Sequence, residues 1–171
     1  MNDEIFLEKY DVTQKYTIKH FDCGNAIINK SLENLKKQVI DHYIQAYVLV
    51  TSENRIIGFY SLCNFAIAKS NFEQALQRSP LNVPCLRLIM LGIDQHYQGL
   101  KFGSKLLKHA LKITYEVSKD IGTKGLYLDA VEGKHDFYKH LGFQAIAGLK
   151  EHNELPMFLT IEAIEDALKV T

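Results

Sequence analysis

The sequence has little net charge, few cysteines, few arginines and no long apolar run, and each shortage removes a class of protein. Twenty Lys and Arg residues balance twenty Asp and Glu residues, for a formal net charge of +0. That argues against a surface built throughout to hold nucleic acid, although it leaves room for a local basic patch. The three cysteines, Cys23, Cys63 and Cys85, lie far apart and form no C-x-x-C pair, so neither a disulfide framework nor a zinc site is expected. His135 and His140 fall on different faces of any helix, and no cysteine or carboxylate completes a ligand set with them, so no metal is expected. No apolar run approaches the length that spans a bilayer, which predicts no membrane partner. The start, Met1-Asn2-Asp3-Glu4, is acidic and lacks the basic-then-apolar pattern of a signal peptide. Together these points predict a protein of the reducing cytoplasm.

What is present is enough apolar material for one core. The chain has 171 residues, of which 47% are hydrophobic and 23% charged, so a single domain over residues 1–171 is the expectation. No internal repeat or low-complexity linker interrupts it. Asn25 to Asp41 reads as an amphipathic helix, with Ile27, Ile28, Leu32, Leu35 and Val39 at helical spacing and Asp22 or Asn25 as its cap. Ala46 to Thr51 and Arg55 to Phe65 read as an antiparallel hairpin around the turn Ser52-Glu53-Asn54. Ser70 to Gln77 is expected to form a short helix. Cys85 to Ile93 is an apolar strand, and Asp94 to Phe102 a polar loop.

Gly103 to Ile121 follows as the best helix, with Leu106, Leu107, Ala110, Leu111, Val117 and Ile121 as its buried stripe and Gly122 as its end. Gly125 to Ala130 is a strand and Lys134 to Leu141 a short helix stopped by Gly142. Phe143 to Ala147 and Met157 to Ile161 are two further strands, and the last ten residues a terminal helix. The alternation in the second half predicts a partly parallel sheet covered by helices, and the hairpin makes that sheet mixed: an α/β fold.

The informative stretch runs from Leu91 to Leu107. A buried strand passes into a glycine-containing loop that opens directly into the long helix. The first turn of a helix leaves main-chain N–H groups unpaired and carries partial positive charge, so it receives a phosphate readily. Gly99 and Gly103 let the backbone approach a diphosphate closely. The loop lacks the Gly-Lys-Ser/Thr ending of a P-loop and the Gly-x-Gly-x-x-Gly of a Rossmann site.

At this point the sequence resembles the GNAT N-acetyltransferases. Their pyrophosphate loop, Gln/Arg-x-x-Gly-x-Gly/Ala after a strand ending apolar-x-Val/Ile-Asp, matches Gln98-Gly99-Leu100-Lys101-Phe102-Gly103 after Leu91-Gly92-Ile93-Asp94. A second landmark, Phe137-Tyr138-Lys139-His140-Leu141-Gly142-Phe143, is similar to the family's Phe-Tyr-x-x-x-Gly-Phe. The resemblance covers nearly the whole chain. Phe21-Asp22-Cys23-Gly24 before a helix is similar to the opening of a subfamily that includes toxins of bacterial toxin–antitoxin pairs.

The resemblance implies a single GNAT fold, a mixed and mostly antiparallel twisted sheet flanked by helices, with acetyl-CoA as co-substrate. It implies that Leu91, Gly92 and Ile93 polarise the acetyl carbonyl and pair with the pantetheine arm, that Gln98, Gly99, Leu100, Lys101, Phe102, Gly103 and Ser104 hold the pyrophosphate, and that Tyr138 protonates the leaving thiolate. Lys101 departs from the pattern by standing where the family has its first glycine. Its N–H can still donate, but its Cβ makes a left-handed turn costlier.

No general base stands out: Leu86 to Ile93 holds no carboxylate where many relatives carry a glutamate. Asp94, Asp129 and Glu132 are the alternatives, together with a water relay or an acceptor amine that is already weakly basic. The acceptor is a small-molecule or macromolecular primary amine. The toxin-like relatives imply the α-amine of aminoacyl-tRNA, and Lys101, Lys105, Lys108 and Lys112 form a candidate basic stripe. Only three arginines, and Met90 where the toxin-type strand has an arginine, weigh against tRNA. Nothing in the sequence excludes a homodimer. The non-enzymatic alternatives are a GNAT-shaped domain that binds CoA or a partner without turnover, and an α/β binding module unrelated to CoA.

Overall fold

The computed structural model describes residues 3–71 and 79–169. Its strands form one seven-stranded sheet in the order β1-β2-β3-β4-β5-β7-β6, with β1 Ile5–Lys9, β2 Gln45–Thr51, β3 Ile56–Ala68, β4 Asn82–Ile93, β5 Gly125–Ala130, β6 Gln144–Ala145 and β7 Leu155–Thr160. Pairing is antiparallel for β1/β2, β2/β3, β5/β7 and β6/β7. It is parallel for β4/β5, where Leu86 faces Leu126 and Leu88 faces Leu128. The helices are α1 Ala26–Glu33, α2 Leu35–Ile40, α3 Phe102–Asp120, α4 His135–His140 and α5 Ile161–Lys169. The mixed, mostly antiparallel α/β architecture is the one the sequence led to. Among the described residues no helix is long and apolar enough to cross a membrane.

The chain divides into two compact units, residues 1–63 with 89–110, and residues 64–88 with 111–171. In the first, Leu32, Leu35 and Val39 of α1 and α2 pack with Val48 and Val50 of β2 and Ile56 and Phe59 of β3. In the second, Ile67, Cys85, Tyr127 and Phe158 form a smaller cluster, with Phe65 and Ile146 against it. Burying apolar side chains at about 1.5–3 kcal/mol each is the main term holding each unit.

Several elements depart from the sequence reading. The single helix expected over Asn25 to Asp41 is two. Asn25 is its cap, its side chain accepting from the Ile27 and Ile28 amides, but Asn34 breaks it. The Asn34 side chain donates to the Lys30 carbonyl, an alternative partner that short polar side chains offer the backbone. The expected apolar stripe also loses a member, because Ile27 is 68% exposed. On α3, Leu106, Leu107, Ala110 and Leu111 are buried as expected. The helix ends at Asp120, however, so Ile121 falls beyond the stripe and is 61% exposed.

The strand expected over Phe143 to Ala147 contracts to two residues. Strand β1 had no sequence expectation at all: it is short, pairs on one side only with β2, and its Phe6 lies open. Of the helix expected over Ser70 to Gln77, Ser70 and Asn71 belong to a single 3-10 turn and residues 72–77 lie outside the described ones.

Candidate active site

The two landmarks expected to carry the chemistry lie one in each unit, and each is built by local hydrogen bonds. In the first unit, β4 ends at Ile93 and Asp94 turns the chain. The Asp94 amide donates to the Ile57 carbonyl at 2.8 Å. Its carboxylate, 1% exposed, accepts from the His96 amide (3.0 Å), the His96 ring Nδ1 (2.9 Å) and the Asp22 amide (3.2 Å). Burial alone would raise its pKa, but these donors outweigh burial and hold it below the ordinary carboxylate value.

Gln98, expected to help hold the pyrophosphate, turns its amide inward. Its Nε2 donates to the carbonyls of Ile93 (2.8 Å) and Cys23 (3.0 Å). The Gln95 amide donates to the Asp22 carbonyl at 2.8 Å. The Phe21-Asp22-Cys23-Gly24 segment is therefore laced to the start of the loop. Gly92 permits this closeness, since a Cβ there would meet Ile28 Cγ2 at 2.7 Å and the Cys23 side chain at 3.5 Å. Leu91 and Ile93 lie on the same β4 end.

Beyond Gln98 the loop turns outward. Gly99 has φ +77° and Lys101 φ +67°, both left-handed. Lys101 thus adopts the conformation that its Cβ penalises, because α3 must start at once: its carbonyl accepts from the Lys105 amide at 3.1 Å. Among the described residues, no hydrogen bond uses the main-chain N–H of Gly99, Leu100, Lys101, Phe102, Gly103 or Ser104. Gly99 and Gly103 have nothing within 4 Å of where a Cβ would stand. The result is a run of free donors at the positive end of a 19-residue helix. Lys101, Lys105, Lys108 and Lys112 are all exposed.

In the second unit, Tyr138 sits on α4. The helix closes with the Phe143 amide on the Tyr138 carbonyl (3.1 Å), the Gly142 amide on the Lys139 carbonyl (3.0 Å) and Gly142 at φ +95°. This is a Schellman cap, and it gives the Phe-Tyr-x-x-x-Gly-Phe spacing its physical reason. The glycine takes the left-handed turn, and the following phenylalanine returns against the tyrosine ring, centroids 5.7 Å apart and edge-on. The Tyr138 hydroxyl has no hydrogen-bond partner among the described residues, and burial pushes its pKa up to about 12. It is therefore a protonated donor at neutral pH.

The three carboxylates considered as bases are all engaged. Asp94 is spent on the turn. Asp129, 9% exposed, accepts from Arg87 Nη2 (3.0 Å), Lys150 Nζ (2.8 Å) and the Tyr127 hydroxyl (2.6 Å). Glu132 is exposed and accepts from Asn153 Nδ2 at 3.1 Å. The sequence reading missed the Asp129 cluster, although a charged residue at Arg87, inside an apolar strand, was a signal for it. Among the described residues no group of His, Cys, Asp and Glu could hold a metal ion.

A family model described as an acetyltransferase (GNAT) domain matches residues 43–145. The probable toxin TacT of Sinorhizobium fredii (strain NBRC 101917 / NGR234) is 26% identical over 137 residues, 73% of this chain and 74% of its own length. A solved bacterial toxin has a TM-score of 0.93 at 29% identity, over 99% of this chain and 97% of its own. AtaT, solved complexed with acetyl-methionyl-tRNAfMet, has a TM-score of 0.86 at 28% identity, over 98% and 100%. The chain belongs to the GNAT acetyltransferases, is an acetyl-CoA-dependent acyltransferase, and is similar to members of that family described as toxins.

Proposed function

We propose that this acetyltransferase acts on the α-amine of aminoacyl-tRNA. The observation that carries the acceptor is the full-length likeness to AtaT in its complex with acetyl-methionyl-tRNAfMet. The hydrogen bonds that occupy Asp94 and Asp129 support it. An α-amine next to an ester is weakly basic, holds a useful neutral fraction near pH 7, and needs little help to lose its proton. The low arginine count and Met90 are outweighed by that likeness.

In this reading the free amides from Gly99 to Ser104 receive the diphosphate of acetyl-CoA, and Lys101 adds charge at its edge. Gln98 acts from behind, bracing the loop rather than touching the ligand. The end of β4, Leu91 to Ile93, lies along the pantetheine arm and presents a main-chain donor to the thioester oxygen, a contribution of a few kcal/mol to the transition state. The acceptor nitrogen attacks the carbonyl carbon, so a C–N bond forms and the C–S bond breaks. Tyr138 gives its hydroxyl proton to the departing sulfur. The phenolate regains a proton, through solvent, from the ammonium nitrogen of the tetrahedral adduct. Charged tRNA and acetyl-CoA meet in the cytoplasm, where the reaction belongs.

The test is acetyl transfer over a panel of amines that includes aminoacyl-tRNA, with Tyr138→Phe alongside. Wild type is expected to favour aminoacyl-tRNA. Tyr138→Phe is expected to lose about 10²–10⁴-fold in turnover, the usual worth of a positioned proton donor, with acetyl-CoA affinity nearly intact. Better turnover of a small metabolite amine would remove the acceptor assignment, and full activity in Tyr138→Phe would remove its role.

A further inference from the structure

The cluster around Asp129 does more than neutralise a carboxylate. A partly exposed ion pair adds only about 0–1 kcal/mol to stability, yet here two cations and a tyrosine hydroxyl converge on a single acid. Arg87 Nη2 takes one oxygen, and Lys150 Nζ and the Tyr127 hydroxyl take the other. Both Asp129 oxygens are engaged, and two cations against one carboxylate leave the cluster one net positive charge.

The remaining donors point to a ligand. Lys150 has three N–H donors, of which two go to Asp129 Oδ1 and the Tyr127 hydroxyl. Arg87 has five and spends one on Asp129; its Nε is buried, so the donors left for a ligand are those on its Nη atoms. Their side chains are 36% and 48% exposed for Arg87 and Lys150. The guanidinium is also held in orientation. It lies 5.2 Å from the centre of the Phe65 ring and 5.8 Å from that of Tyr127, and those two rings stack on each other at 5.0 Å. A fixed planar fork beside a lysine recognises phosphate, with less entropy lost on binding than for two free chains.

We propose that Arg87 and Lys150 form a phosphate seat for the single-stranded 3′ end of the RNA that carries the acceptor amine. This rests on the aminoacyl-tRNA reading above and deepens it. Asp129 and Tyr127 are positioning residues: they hold the two cations and do not touch the RNA. Strand β5, which carries both, leads through a short turn into α4 and Tyr138. The seat therefore belongs to the same unit as the proton donor.

The experiment measures steady-state acetyl transfer to an aminoacyl-tRNA and to the corresponding amino-acid amide, a phosphate-free amine, over a range of KCl concentrations. Lys150→Gln is expected to raise KM for the aminoacyl-tRNA about fivefold near 0.1 M salt. It should also flatten the slope of log kcat/KM against log salt by about 0.7, the value for one contact to a single strand. Lys150→Arg should restore both. With the amide the same substitution should show no such loss, so selectivity for RNA falls. Because Lys150 is half exposed, Tm should stay within about 2 °C.

Wild-type KM and salt slope in Lys150→Gln would overturn the seat and leave the acceptor assignment standing. An equal loss on tRNA and amide would overturn it too. A wild type that acetylates the amide but neither binds nor acetylates the aminoacyl-tRNA would overturn both.

Discussion

Replacing Lys101 by glycine separates the two things this residue does. Its φ of +67° is left-handed, a conformation that costs an L-residue with a Cβ roughly 1–2 kcal/mol. Glycine removes that cost but adds freedom to the unfolded chain, worth about 0.4–1 kcal/mol in the other direction. The balance is a gain of about 0.5–1 kcal/mol, which for a chain of this size raises Tm by about 1–4 °C. The loop hydrogen bond from the Lys105 amide to the residue 101 carbonyl needs no side chain and survives.

The same variant loses an exposed ammonium. If main-chain amides supply the grip, acetyl-CoA affinity should fall by no more than about threefold, the share of one solvated charge. Thermal melting and calorimetric titration of acetyl-CoA read the two effects separately. A lower Tm would refute the strain argument. A loss of affinity beyond about tenfold would refute recognition through the backbone and assign it to the lysine.

The remaining predictions touch the two landmarks and the acceptor. Gly142→Ala forces a Cβ into φ +95° and should cost about 1–2 kcal/mol. By loosening the cap that seats the Tyr138 ring it should lower kcat more than it raises KM for acetyl-CoA; an unchanged kcat would show that the Schellman turn does not position the tyrosine. Asp94→Asn turns an amide donor toward the donors of His96 and Asp22 and should cost about 1–3 kcal/mol, read by urea unfolding. Because the folded pKa of Asp94 is depressed, its contribution is fully present above about pH 4 and is lost as pH falls through the folded value. The wild-type advantage over Asp94→Asn should therefore shrink on acidification, and an advantage that grew instead would reverse the sign of the argument. Finally, the acid limb of the kcat/KM profile should move with the pKa of the acceptor amine. A limb fixed across amines would reveal a base on the enzyme.

The parts of the fold that were legible in the sequence are those where one period dominates. Gly125 to Ala130 and the body of α3 read correctly because long apolar stripes and a terminal glycine leave no competing interpretation. The loop from Gln98 to Ser104 was legible for a different reason, since a helix opening on glycines has unpaired donors whatever surrounds it. The break at Asn34 was not legible, because it depends on a side chain outcompeting one helical hydrogen bond, which a hydrophobic pattern does not register. Nor was β1, whose few residues gain their strand character only from pairing with β2. Gln98 was assigned to the ligand by its motif position, yet its amide faces the protein. Which way a side chain turns is settled by carbonyls distant in sequence, here those of Ile93 and Cys23.

The state of the candidate bases follows from the same kind of contact. Each candidate carboxylate was plausible while only its type and place in the chain were known. Each is engaged once its neighbours are: Asp94 by two amides and a ring, Asp129 by two cations and a phenol, Glu132 by an amide. For Asp94 those donors outweigh burial and favour the charged form, which makes it a poor proton acceptor. In the proposed reaction the acceptor therefore arrives as the free amine. On that proposal weakly basic amines are expected to be favoured over alkyl amines such as a lysine side chain, which is almost wholly protonated at neutral pH. The α-amine of an aminoacyl ester meets that requirement, and a phosphate seat nearby would select for the one attached to RNA.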